Sequence, residues 1–272
     1  MTPAQQALLE RSRRQGEQIF SRSDELTAAI WAQMLSFRDA DIDWMVERVS
    51  PIASAAQTAM AISTEQYLIG WAAVAGISTA PGFIDASTQA LRGVTDREVY
   101  ERIGPTIWGR LSEGASFEDA VDAGFARLQK VMQTNIQLAR THTARNTMKR
   151  QDGVVGYRRV PRGMNSCALC LVASTQRYHT DDLMPIHPGC ACGVESILGG
   201  SDPGSVLDQD ALNGVHAAIK ERFGAFSDSA RQFETPEGEL LHYRDILVTH
   251  RHGEIGPVLG IRGQKFTGPS DL

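Results

Sequence analysis

The sequence predicts a mainly α fold: a long-helix N-terminal bundle with a small α+β C-terminal module stapled by a Cys/His cluster. Three observations predict it. Apolar residues recur at helical spacing through the first 150 residues. After Gly153 the pattern changes to a short run rich in valine and tyrosine. All four cysteines fall between Cys167 and Cys192. The 272 residues therefore divide into a helical domain over 1–150 and an α+β module over 151–272.

The elements follow in order. Thr2 is a hydroxyl N-cap before Pro3 at the first helical position. Apolar Leu8, Leu9, Ile19, Leu26, Ile30, Met34 and Leu35 then mark an amphipathic helix, with Gly16 or Ser21 as the expected break. Asp39 or Asp41 caps a short helix through Val49, and Pro51 opens an Ala-rich helix to about Gly76. Pro81-Gly82 and Gly93 mark a connector. Thr95 caps a helix to about Glu113, bent at Gly104-Pro105. Ser116 and Asp119 form a weak capping box for a helix that continues to Arg150, about 50 Å at 1.5 Å per residue. Val121, Phe125, Leu128, Met132, Ile136 and Ala139 give it one continuous apolar face. A short strand is expected over 154–160. A helical stretch comes next over about 205–223, then alternating residues over 240–249, a strand candidate at Val258–Ile261 and a polar tail.

Composition excludes several classes. At 42% hydrophobic the chain is not a disordered one. No apolar run reaches the roughly 18–20 residues of a membrane span, and no signal peptide is expected from the first residues. A net charge of −5 argues against a protein that coats nucleic acid with its whole surface. The 23 Arg against 4 Lys, with abundant Ala and Gly, reflect a GC-rich coding bias.

The cysteines carry the most chemistry. Cys167 and Cys170 have the C-x2-C spacing in which one tight turn presents two thiolates to one ion. His187, Cys190 and Cys192 supply a nitrogen and two more sulfurs. Five candidates compete for four tetrahedral zinc positions, with Cys167, Cys170, His187 and Cys190 as the most natural set and His179 as a weaker sixth. Disulfides and buried free thiols stay open as alternatives. A catalytic Cys–His pair is a further one, although no nucleophile elbow surrounds any of these cysteines. None of the nucleotide-binding, zinc-protease or serine-hydrolase motifs occurs, so no catalytic residue is assigned.

Between Arg140 and Arg162 stand seven strong bases and one acid, a local +6 that leaves −11 on the rest of the chain. Arg145, Lys149, Arg150, Arg158, Arg159 and Arg162 are candidates for contact with phosphates or an acidic partner. The alternative is a solvated helix end complementing the helix dipole. Tyr157 is the only aromatic residue interleaved, so no stacking platform is expected.

Taken in order, Arg140-Thr141-His142 near the end of a long helix, Cys167-Ala168-Leu169-Cys170, and His187-Pro188-Gly189-Cys190-Ala191-Cys192 resemble the MuF-like minor head proteins of tailed phages. The stretch from His252 to Leu259, with Phe266-Thr267-Gly268-Pro269, is similar to the version in phages of actinobacteria. The chain departs from that pattern at His142, where the family usually has an acid, and at Ala191, where it commonly has Arg. The resemblance implies a minor capsid protein in the virion head near the portal vertex, present in the host cytoplasm during assembly. Its implied partners are the portal protein, the major capsid or scaffold proteins, and DNA, with no membrane. It implies roles in head assembly and in DNA packaging or ejection. Relatives of this kind are often labelled capsid maturation proteases, which is the alternative function; a DNA-binding ejection factor is a further one.

Overall fold

The computed structural model describes residues 2–161, 168–174, 177–187, 189–190, 192–199, 226–227, 232–234, 240–242 and 247–261. It is mainly helical, with small antiparallel strand pairs after residue 153. Helix α1 (Pro3–Trp31) starts on a capping box between Thr2 and Gln5 and runs unbroken through Gly16 and Ser21. The expected break is absent because Gly16 serves close approach: a Cβ there would lie 2.1 Å from Arg140 Nη2. Helix α2 (Asp39–Val74) likewise absorbs Pro51, which was expected to start a separate helix. Pro51 and Glu47, whose carbonyl loses its donor, both lie on the exposed side, where water can take that carbonyl.

Short α3 (Thr88–Arg92) and α4 (Asp96–Tyr100) come next, the latter on a Thr95–Glu98 capping box. Helix α5 (Ile103–Ser112) is separate from α4, so the chain turns before Gly104-Pro105 rather than at it. Pro105 then sits in a first turn, where backbone donors have no intrahelical partner in any case. Helix α6 (Phe117–Met148) is capped by Ser116 Oγ, which accepts from the Asp119 amide at 3.1 Å. It ends two residues earlier than the sequence suggests and is about 48 Å long at 1.5 Å per residue.

The first half of α6 packs with α1, α2, α4 and α5 around an apolar core that includes Met45, Met60, Ile103, Leu128 and Met132. Its second half is buried on nearly all sides, from Thr134 through Thr141. There it meets the chain beyond residue 150. Strand β1 (Val154–Val160) pairs antiparallel with β2 (Gly193–Leu198), and α7 (Ala168–Ser174) lies between them in sequence. Further strands are β3 (Phe226–Ser227), β4 (Gln232–Glu234), β5 (Leu240–His242), β6 (Leu247–His252) and β7 (Gly256–Ile261), with β6 and β7 forming a hairpin. The expected helix over 205–223 lies outside the described residues.

Two buried clusters span the change of character near residue 150. One joins Leu9, Tyr67, Leu68, Trp71, Ala144 and Met148 to Tyr157, Val160, Met184 and Val194. The other joins Ala61, Leu91, Leu138 and Ala139 to the three described cysteines, Ile186, Ile255 and Val258. Glu254, in the β6–β7 turn, fastens that hairpin to the helices. It accepts from Arg102 and, at 3.4 Å, from the buried Arg92. Among the described residues no helix is long and apolar enough to cross a membrane.

Candidate metal centre

Three segments bring the cysteines together. Cys170 lies on α7, Cys190 closes a turn begun by His187, and Cys192 immediately precedes β2. The turn is built by the Cys190 amide donating to the His187 carbonyl at 3.0 Å, with Gly189 between them at φ 72°. A left-handed residue there favours glycine, and the Pro-Gly pair in the sequence is the legible sign of it. All three thiols are buried. Their Sγ atoms lie within 4.8 Å of one another, and Cys170 and Cys190 are 3.8 Å apart. His187 Nε2 lies 2.9 Å from Cys170 Sγ.

The cluster is anchored to the helical bundle by α6. Gln137 Nε2 and Arg140 Nη1 both donate to the Cys192 carbonyl, each at 3.1 Å. The two residues are three apart and so share one helix face. Arg140 also lies over the Phe20 ring and against Met60 Sδ. Sequence reasoning noticed Arg140 as part of a motif and of the basic segment, and overlooked Gln137. The available signal was two long hydrogen-bonding side chains placed among the apolar positions of a helix.

Arg159 completes the surroundings. It is fully buried on β1, and its Nη1 lies 3.6 Å from Cys170 Sγ and 3.8 Å from Cys190 Sγ. Burial works against its charge, but Cys190, Cys170 and Cys192 outweigh that and hold it more firmly protonated than usual. Cys190 is held well below the ordinary thiol range. Hydrogen bonds from Cys170 and Cys192 act first, and Arg159 and His187 add to them against burial. Cys192 is pushed up: the Cys170 hydrogen bond is outweighed by burial and by the neighbouring Cys190 sulfur. Among the described residues one guanidinium supplies the positive charge in contact with the sulfurs, so a second thiolate is costly.

These residues suit a soft divalent cation. Three sulfurs and one imidazole are the donors zinc takes in closed structural sites. A tetrahedral zinc with Zn–S near 2.3 Å has a sulfur–sulfur edge of about 3.8 Å, the separation seen between Cys170 and Cys190. The cation would also supply the positive charge that a second and third thiolate need. No disulfide joins Cys170, Cys190 and Cys192. Cys167, the first residue of the expected C-x2-C pair, lies outside the described residues. His179 is exposed.

The basic segment is placed differently from expectation. Arg158 and Arg159 face inward rather than toward a phosphate. Alternation along β1 sends Arg159 to the sulfurs and Arg158 to Glu195, its cross-strand partner, at 2.9 and 3.1 Å. Both are thus withdrawn from any nucleic-acid surface. Arg150 pairs with Glu65 and donates to the Ala80 carbonyl. Arg145 donates to the Asp181 carbonyl, and Lys149 pairs with the Asp181 carboxylate at 2.9 Å. Arg162 lies outside the described residues. The segment looked like a free positive patch because its acidic partners, Glu65, Asp181 and Glu195, are distant in sequence.

A family profile described as VG15 protein matches residues 4–218, well over half of the chain. No curated protein and no solved structure matches it.

Proposed function

The chain belongs to the VG15 protein family, a viral family, and from that premise we propose that it is a minor structural protein of a phage head. In this reading it sits at the portal vertex and takes part in head assembly and DNA packaging or ejection, as the MuF-like pattern of residues 140–142, 167–170 and 187–192 implies. The Cys/His cluster is its internal staple: Cys170, Cys190, Cys192 and His187 hold a zinc ion that fixes the segments after residue 160 against α6.

One observation carries this reading. The cluster is buried in the same core as Leu138 and Ala139, and its backbone is hydrogen-bonded to α6 through Gln137 and Arg140. A site built for cross-linking is buried and tied to its neighbours on every side, whereas a site built for chemistry on a polypeptide needs an approach path. The second reading, a thiol-dependent capsid maturation protease, draws on the 2.9 Å approach of His187 Nε2 to Cys170 Sγ. Against it, only 3% of Cys170 is exposed, and a second thiol lies 3.8 Å from its sulfur.

Mass spectrometry of proheads and mature particles tests the proposal. The structural reading expects the chain in both, at fixed low stoichiometry and co-purifying with the portal protein. Absence from both particle types refutes it. Trimming of co-expressed capsid protein that Cys170→Ser abolishes without loss of zinc supports the protease instead.

A further inference from the structure

Two arginines stand side by side on β1, both buried, and they meet opposite solutions. Arg158 has the Glu195 carboxylate. Arg159 has no carboxylate partner among the described residues. Its Nη1 touches two sulfurs, and its Nε and Nη2 have no hydrogen-bond partner there. A guanidinium cannot shed its proton to escape burial, so its charge must be answered by nearby negative charge. Among the described residues, the groups in contact with it that can supply it are the cysteine sulfurs.

Three thiolates and a neutral imidazole around a divalent cation leave a net charge of −1. One guanidinium against the sulfurs brings the whole to zero. In a dry interior each half answers the other: the thiolate centre carries a residual negative charge, and Arg159 has no carboxylate among the described residues. We propose that Arg159 is the counter-cation of the metal centre, a positioning residue that acts on the metal through the Cys170 and Cys190 sulfurs rather than by binding it. The proposal rests on the zinc reading above and adds to it a residue outside the ligand set. It also gives β1 a part in the centre: β1 supplies no ligand, yet it delivers the charge that makes a thiolate-rich site tolerable.

The test is zinc affinity of the full-length chain, measured by competition with a chromogenic chelator, for wild type, Arg159→Gln and Arg159→Lys, with helical content followed by circular dichroism. Loss of an outer-shell partner typically weakens metal binding ten- to a hundredfold. That loss is expected for Arg159→Gln, and Arg159→Lys, which keeps the charge, should recover most of it. Wild-type affinity in a folded Arg159→Gln chain overturns the counter-cation role and leaves the zinc reading intact. Failure of the wild type itself to bind zinc overturns both. If Arg159→Gln does not fold, Arg159→Lys decides: zinc binding within about tenfold of wild type supports the role, and an Arg159→Lys chain that cannot hold zinc overturns it, folded or not.

Discussion

The two halves of α6 are made of the same helix and live in different chemistries. Its first half turns Leu128, Val131 and Met132 into an apolar core with α1, α2 and α5. Its second half buries Gln137, Arg140 and Thr141 and lies against three thiols, with the buried Arg158–Glu195 pair on the neighbouring strands. The first region is held by area removed from water, which needs no exact partner. The second is held by groups that each need one particular partner, because an unmatched buried charge or donor costs more than a lost contact. The helical region should therefore tolerate volume-conserving change, while the region around the thiols should fail at single atoms.

The largest expected effect comes from removing a ligand. Cys190→Ser should abolish zinc binding and melt the region after residue 160, since metal binding at such sites is itself a folding energy, on the order of 10 kcal/mol in small zinc domains. Most of the far-UV helical signal should persist, because α1, α2 and α5 supply no ligand to the site and share their own apolar core. Limited proteolysis checks the division: cleavage confined to the chain beyond β1 supports it, and simultaneous loss of α1 and α2 shows that the halves fold as one.

Next is the buried ion pair. Glu195→Gln takes the carboxylate away from the buried Arg158 guanidinium, a defect of roughly 3–5 kcal/mol. By contrast, Leu128→Ala in the apolar region removes packing alone, about 2–5 kcal/mol depending on how far the site collapses. Denaturant midpoints of the two variants test the comparison directly. It gains if Glu195→Leu with Arg158→Met restores stability, because an apolar pair of similar size needs no charge balance. At the surface, Asp181→Asn breaks the exposed contact with Lys149 and should leave the midpoint unchanged.

These contrasts also explain what could be read from the sequence. The helices were legible because amphipathic spacing is local: the faces of α1 and α6 and the caps at Thr2, Thr95 and Ser116 all appear in short windows. The misreadings came where a residue with a strong local preference was overruled by its neighbours in space. Gly16 reads as a break until Arg140 is laid across it. Pro51 reads as a start until its exposed face is known. The cysteine cluster was legible through its spacing. Its surroundings were not, since Gln137, Arg140 and Arg159 reach it from elements that only the fold brings together. Arg158 and Arg159 misled for the same reason: net charge over a window cannot say which cations are already answered by Glu195 or by sulfur.

The smallest expected effect is nil at neutral pH and appears only in acid. His142 lies between the buried residues Thr141 and Thr143 on α6, and burial, aided by the nearby Arg145 charge, lowers its pKa to about 4. In the unfolded chain an imidazole titrates near 6.5. Between those values the unfolded state binds a proton that the folded state refuses, so folding stability falls as pH drops from about 6.5 toward 4 and is unaffected above that window. His142→Gln removes the titration and should flatten the acid limb of the stability curve while leaving the midpoint at pH 7.5 unchanged. The position is also the one where the MuF-like pattern usually carries an acid. A carboxylate there would favour its charged form beside Arg145, so His142→Asp should be least harmful near neutrality, where the acid is ionised. It should lose stability as the carboxyl protonates. Urea midpoints of the three chains between pH 4 and 8 decide the matter. An acid limb in His142→Gln as steep as in the wild type would assign the loss to other groups, foremost the thiolates, which also bind protons as their metal leaves.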